Sequence, residues 1–97
     1  MTISVDFDGV IHDYKNPIEG RKMGAPIEGC KLALDKMKSQ GYQIIVFTIR
    51  RDFKPVRDFM DYYKLPYNQI TNTKQDSNWY IDDKAIRFNS WSNLVLQ

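Results

Sequence analysis

The chain has 97 residues, 42% hydrophobic and 27% charged, with a formal net charge of +2. These values suit one folded domain over residues 1–97 with a single modest core; they exclude a disordered chain, and the charge is too small to argue for nucleic acid by itself. No segment approaches the roughly 20 apolar residues that span a bilayer, and Met1-Thr2-Ile3-Ser4-Val5 runs into an acidic motif without the basic and apolar regions of a signal peptide, so a cytoplasmic protein is expected.

Ile3-Ser4-Val5 reads as a short buried strand ending in Asp6-Phe7-Asp8-Gly9. Alternate residues of an extended chain point the same way, which aims Asp6 and Asp8 into one volume, and Gly9 lets the backbone turn sharply. Two carboxylates a few ångströms apart repel by about 4 kcal/mol at an effective dielectric near 20, a cost that calls for a cation or a shared proton. A calcium loop also contains Asp-x-Asp-Gly, but it needs an earlier oxygen ligand and a late glutamate, whereas Ile11-His12-Asp13 follow here.

From Val10 to Ala25 the chain is polar and too short to be a domain. Pro26 suits the first turn of a helix, with Ile27, Cys30, Leu34 and Met37 on one face and Gly41 as its stop. Cys30, the single cysteine, reads as a small buried hydrophobe on that face. Gln43-Ile44-Ile45-Val46-Phe47 is a β-branched run fit for a strand buried on both faces, and it ends in Thr48-Ile49-Arg50-Arg51. Pro55 starts a second helix with the core stripe Val56, Phe59, Met60 and Tyr63, and Pro66 ends it. Tyr67 to Thr71 is a further strand. Trp79-Tyr80-Ile81 is another, ending in Asp82-Asp83, and Ile86 to Phe88 a short fifth. The alternation gives an α/β domain with a mostly parallel sheet of about five strands flanked by helices.

Three of these strands end in residues that bind metal or phosphate, and the ends of parallel strands converge on one edge of a sheet. The ordered set of Asp6-x-Asp8-Gly9, a strand ending in Thr48, then Lys74, then a strand ending in Asp82-Asp83 resembles the haloacid dehalogenase (HAD) superfamily of phosphatases. It is similar to the very small HAD-like hydrolases of phages and gut bacteria, whose pattern Met23-Gly24-Ala25-Pro26-Ile27-Glu28-Gly29 and Tyr80-Ile81-Asp82-Asp83-Lys84-Ala85 fit. The chain departs from that pattern in having Gln75 after Lys74, where relatives commonly have Pro. Receiver domains combine similar parts, but there the acidic pair comes first along the chain, whereas Asp82-Asp83 comes last here.

The resemblance implies a HAD-like Rossmannoid fold with no cap domain, the stretch 10–25 forming only a flap, and a phosphatase that works through an aspartyl-phosphate. It implies Asp6 as nucleophile and Asp8 as acid and base, with Thr48 and Lys74 holding the phosphate and Lys74 also orienting Asp6. The ligands available for a cation are hard oxygens of Asp6, the Asp8 backbone carbonyl and Asp82, which favours Mg²⁺; Asp83 supports it through a water, since neighbours on an extended strand point apart. Gly9, Ile49 and Arg50 complete the substrate-binding set. His12 joins them as a flap group that contacts substrate or responds to pH. An open site leaves water to be excluded by the substrate or by a second copy of the chain. The local basic cluster of Arg50, Arg51, Lys54 and Arg57 keeps nucleotides and phosphorylated nucleic-acid ends beside small phosphorylated molecules as substrates. The reading from another class is a non-catalytic phosphate- or nucleic-acid-binding module with the same fold.

Overall fold

The computed structural model describes residues 1–20, 23–74 and 76–84, and in them the apolar runs form one parallel sheet. Strand β1 spans Thr2–Asp6, β4 Gln43–Phe47, β5 Gln69–Thr71 and β6 Trp79–Ile81, in the spatial order β5-β4-β1-β6. A second, antiparallel pair is made by β2 (His12–Pro17) and β3 (Gly24–Pro26), so the polar stretch after β1 is a small hairpin. Helix α1 (Cys30–Ser39) links this hairpin to β4, and α2 (Lys54–Tyr62) links β4 to β5. The chain is thus α/β with a parallel sheet of four described strands; the expected fifth, Ile86 to Phe88, lies outside the described residues.

Ile3 and Val5 of β1 stand in register with Ile44 and Val46 of β4, and all four share a core with Leu34 of α1 and Val56, Phe59 and Met60 of α2. Side chains alternate along a strand, so one face of the sheet carries this set and both helices cover it. Successive crossovers of one hand running outward in one direction place their helices on one side in this way. Each fully buried Val, Ile or Phe contributes roughly 1.5–3 kcal/mol, which makes this layer the main source of stability. Cys30 packs against the layer as a partly buried hydrophobe.

Two helix starts differ in kind. Pro26 does not open α1; it pairs with His12 as the last residue of β3, and α1 begins at Cys30 after a turn in which the Cys30 N–H donates to the Ile27 carbonyl at 3.0 Å. Gly29 has φ 84° and ψ −10°, the third-position geometry of a type II turn, which a residue with a side chain resists. Pro55 does stand in the first turn of α2, and the Asp52 carboxylate accepts the Lys54 N–H at 3.0 Å to complete that start. The end of α2 comes before Pro66: Lys64 takes φ 55°, and the Leu65 N–H returns to the Met60 carbonyl at 2.8 Å.

The chain runs outward from β1 to β4 and β5, then returns to place β6 on the other side of β1. Where the direction of winding reverses, the connections leave opposite faces and a crevice opens at the carboxyl ends of the strands. β1 and β6 are the strands on either side of that reversal. Among the described residues no helix is long and apolar enough to cross a membrane.

Candidate active site

Asp6 closes β1, Thr48 follows β4 directly, and Asp82 and Asp83 follow β6, so the sheet brings all four to one edge. Carboxylate oxygens of Asp6, Asp82 and Asp83 lie within 4.8 Å of one another. Burial, and then the negative charges of Asp82 and Asp83, push the Asp6 carboxyl up to about 6. The charges acting most on Asp6, those of Asp82, Asp83 and Asp8, are all anionic. An all-oxygen set of this kind fits a hard divalent ion.

Asp83 stands closer to this centre than strand alternation implies. β6 ends at Ile81, and beyond it the chain bends, so Asp82 and Asp83 no longer point to opposite faces. Asp82 accepts the Lys84 N–H at 2.7 Å, a local turn that holds the bend. Gly9 makes room for the outcome: its φ is 91°, and a Cβ there would collide with the Asp83 carboxylate. Gly9 is therefore needed both for the turn and for the approach of Asp83.

Asp8 faces a different neighbourhood. Arg50 donates to it from Nε and Nη2, each at 3.1 Å, and His12 Nδ1 lies 2.7 Å from its Oδ1. Although burial opposes ionisation, the bonds from Arg50 and His12 prevail and hold the Asp8 carboxyl below its usual range. Arg50 is also steadied by the ring of Phe7, with its guanidinium carbon 5.7 Å from the centroid.

His12 is buried, at 3% exposure, rather than displayed on the flap. Its Nε2 accepts the Gly24 N–H at 2.8 Å, so that nitrogen carries no proton, and the proton on Nδ1 is donated to Asp8. The ring stacks on Phe7 with centroids 5.3 Å apart and meets the edge of Phe59 at 5.4 Å. His12 thus ties the flap strand to the Asp8 carboxylate and has no open face for a substrate. No local sequence signal reveals this, because its partner Gly24 lies 12 residues away.

Thr48 is buried, and its Oγ1 accepts the Arg50 N–H at 3.1 Å, which leaves its own hydroxyl proton for an acceptor. Ile49 is 85% exposed, so what it can offer at this edge is backbone. Lys74 is exposed on the loop after β5, its ammonium 5.3 Å from the centroid of the Tyr80 ring. The expected basic cluster is partly neutralised within the fold: Arg50 is bound to Asp8, and Lys54 to Asp58 at 2.7 Å, while Arg51 and Arg57 are exposed.

Compared with models of protein families, with curated proteins and with solved structures, the chain matches none.

Proposed function

We propose that the chain is a capless, Mg²⁺-dependent phosphohydrolase of the HAD type that cleaves a phosphate monoester through an aspartyl-phosphate on Asp6. The observation that carries this reading is the convergence of the Asp6, Asp82 and Asp83 carboxylates at the strand-end crevice, with Thr48 beside them on the same edge. Bound among those oxygens, Mg²⁺ would offset the repulsion of three carboxylates and an incoming phosphate.

A carboxylate oxygen of Asp6 attacks phosphorus, and the bond from phosphorus to the leaving oxygen breaks. Asp8 supplies that oxygen with a proton, later takes one from the water that attacks the aspartyl-phosphate, and Asp6 is regenerated as phosphate departs. Thr48 donates its hydroxyl to a phosphate oxygen. Arg50 holds Asp8 ionised in the free protein, and a phosphate dianion competes for the same guanidinium, which releases Asp8 to take up a proton from solvent before it serves the leaving oxygen. His12 keeps the released carboxylate in place.

Two observations favour the alternative of a binding module without turnover: Asp8 is held by two partners, and Lys74 rests on Tyr80. A screen of phosphate monoesters with and without Mg²⁺ separates the two. Mg²⁺-dependent release of phosphate that is lost in Asp6→Asn supports the enzyme; phosphate binding with no release in any arm supports the module.

A further inference from the structure

Lined in part by Arg50, the partner of Asp8, lies a cleft of about 400 Å³ between the flap and α2, with Met23 on one side, Phe59, Tyr62 and Tyr63 on the other, and Arg50 and Asp58 at its polar margins. We propose that this cleft takes the leaving group of the substrate, and that the leaving group carries a planar aromatic ring of nucleobase size. The inference rests on the hydrolase reading given above for the position of the phosphate.

Arg50 connects the two places. It lines the cleft and at the same time donates twice to Asp8, the residue that serves the leaving oxygen, so a group departing past Asp8 passes into the cleft. The volume lies within the roughly 300–1,000 Å³ of small-molecule sites and exceeds what a phosphate needs. Its walls favour a flat ring over a sugar or an aliphatic chain. Tyr62 and Tyr63 meet at 83° with centroids 4.8 Å apart, and Phe59 is tilted against Tyr63 at 4.8 Å, so the three rings form one aromatic wall. The Met23 thioether is a good partner for an aromatic edge, and the flat guanidinium of Arg50 for an aromatic face.

The polar groups fit the same ligand. Asp58 gives one oxygen to Lys54, and the other is an acceptor for an N–H on the ring. With Lys54 bound to Asp58, and Arg50 engaged by Asp8 in the free protein and by the phosphate once substrate binds, the cleft offers ring surface rather than free positive charge, which suits a mononucleotide better than a polyanion.

The test compares adenosine 5′-monophosphate with ribose 5-phosphate, which share the bond to be broken and differ in the base. The wild type should favour the nucleotide by about tenfold or more in kcat/KM, as a stacked base implies. Tyr62→Phe should keep this preference, and Tyr62→Ala should bring the ratio towards one. In parallel, adenosine alone is titrated into Asp6→Asn and followed by amide chemical shifts, where changes at Met23, Gly24, Tyr62 and Tyr63 are expected. If neither phosphate is hydrolysed but those shifts appear, the hydrolase reading fails and the cleft stands. If both are hydrolysed equally and no shifts appear, the hydrolase stands and the cleft proposal is overturned. A preference that survives Tyr62→Ala, or adenosine shifts confined to other residues, also overturns it.

Discussion

Gly9→Ala separates the backbone demand of the turn from the demand of the carboxylate centre, because Gly41 provides a control with the first and without the second. Gly9 has φ 91° and Gly41 φ 86°, so an alanine at either position costs roughly 1–2 kcal/mol for the left-handed backbone. In a domain of this length that is about 4–8 °C of melting temperature per kcal/mol. The Cβ at Gly41 meets open space, whereas at Gly9 it collides with the Asp83 carboxylate and comes within 3.2 Å of the Tyr14 ring. Asp83 is the end of a short, exposed side chain and swings aside at little cost to the fold. It then leaves the cluster with Asp6 and Asp82. Mg²⁺ at tenfold excess over its dissociation constant stabilises a folded state by about 1.4 kcal/mol through RT ln(1 + [L]/Kd). Thermal unfolding with and without Mg²⁺ should therefore show both variants losing similar stability in chelator, Gly41→Ala keeping the wild-type Mg²⁺ shift, and Gly9→Ala losing most of it. An unchanged Mg²⁺ shift in Gly9→Ala would refute the place given to Asp83.

Asp82→Ala should likewise blunt the Mg²⁺ shift; identical shifts in this variant and the wild type would remove Asp82 from the metal site. In chelator, the raised Asp6 carboxyl contributes stability that is full below its ordinary 3.8 and lost as pH rises through about 6, so the stability gained by Asp6→Asn over wild type should be larger near about pH 7.5 than near about pH 4.5. Asp8 runs the other way: its depressed carboxyl stabilises the fold above the ordinary 3.8 and loses that effect as pH falls through its lowered value, so Asp8→Asn should cost most at neutral pH in the same melts. His12→Ala leaves the buried Gly24 N–H without its acceptor, a loss of about 1–3 kcal/mol, and should lower kcat more than it changes KM. A wild-type melting temperature and kcat in that variant would leave His12 with no positioning role.

Elements buried on all sides were the most legible in the sequence. β4 spans Gln43–Phe47 as the apolar run indicates, since a β-branched stretch fits such a strand and little else. Proline misled wherever a competing role was open to it. Pro26 fits a helix start by residue type, yet its place is set by pairing with His12, a tertiary choice that local preference does not contain. The acidic site followed from three strand ends and a parallel sheet, which is why Asp6, Thr48, Asp82 and Asp83 do share an edge. What the pattern did not carry was direction. Asp8 follows Asp6 by two residues but turns to Arg50 and His12, because the chain leaves the strand at Asp6 and alternation no longer governs it. The cleft was hidden for another reason: Phe59 and Tyr63 read as core stripe by helical spacing, and spacing does not say where the flap leaves a gap.

The central claim is a covalent phosphoryl group on Asp6, and the most direct measurement is rapid quenching of the Mg²⁺-loaded protein during turnover of a phosphate monoester, followed by peptide mapping of the acid-stable acyl-phosphate. The account predicts phosphate on the peptide carrying Asp6, its accumulation in Asp8→Asn with an activated aryl phosphate, whose leaving group needs little protonation while hydrolysis is slowed, and its absence in Asp6→Asn. Turnover with no phosphorylated Asp6 peptide in either the wild type or Asp8→Asn would contradict it.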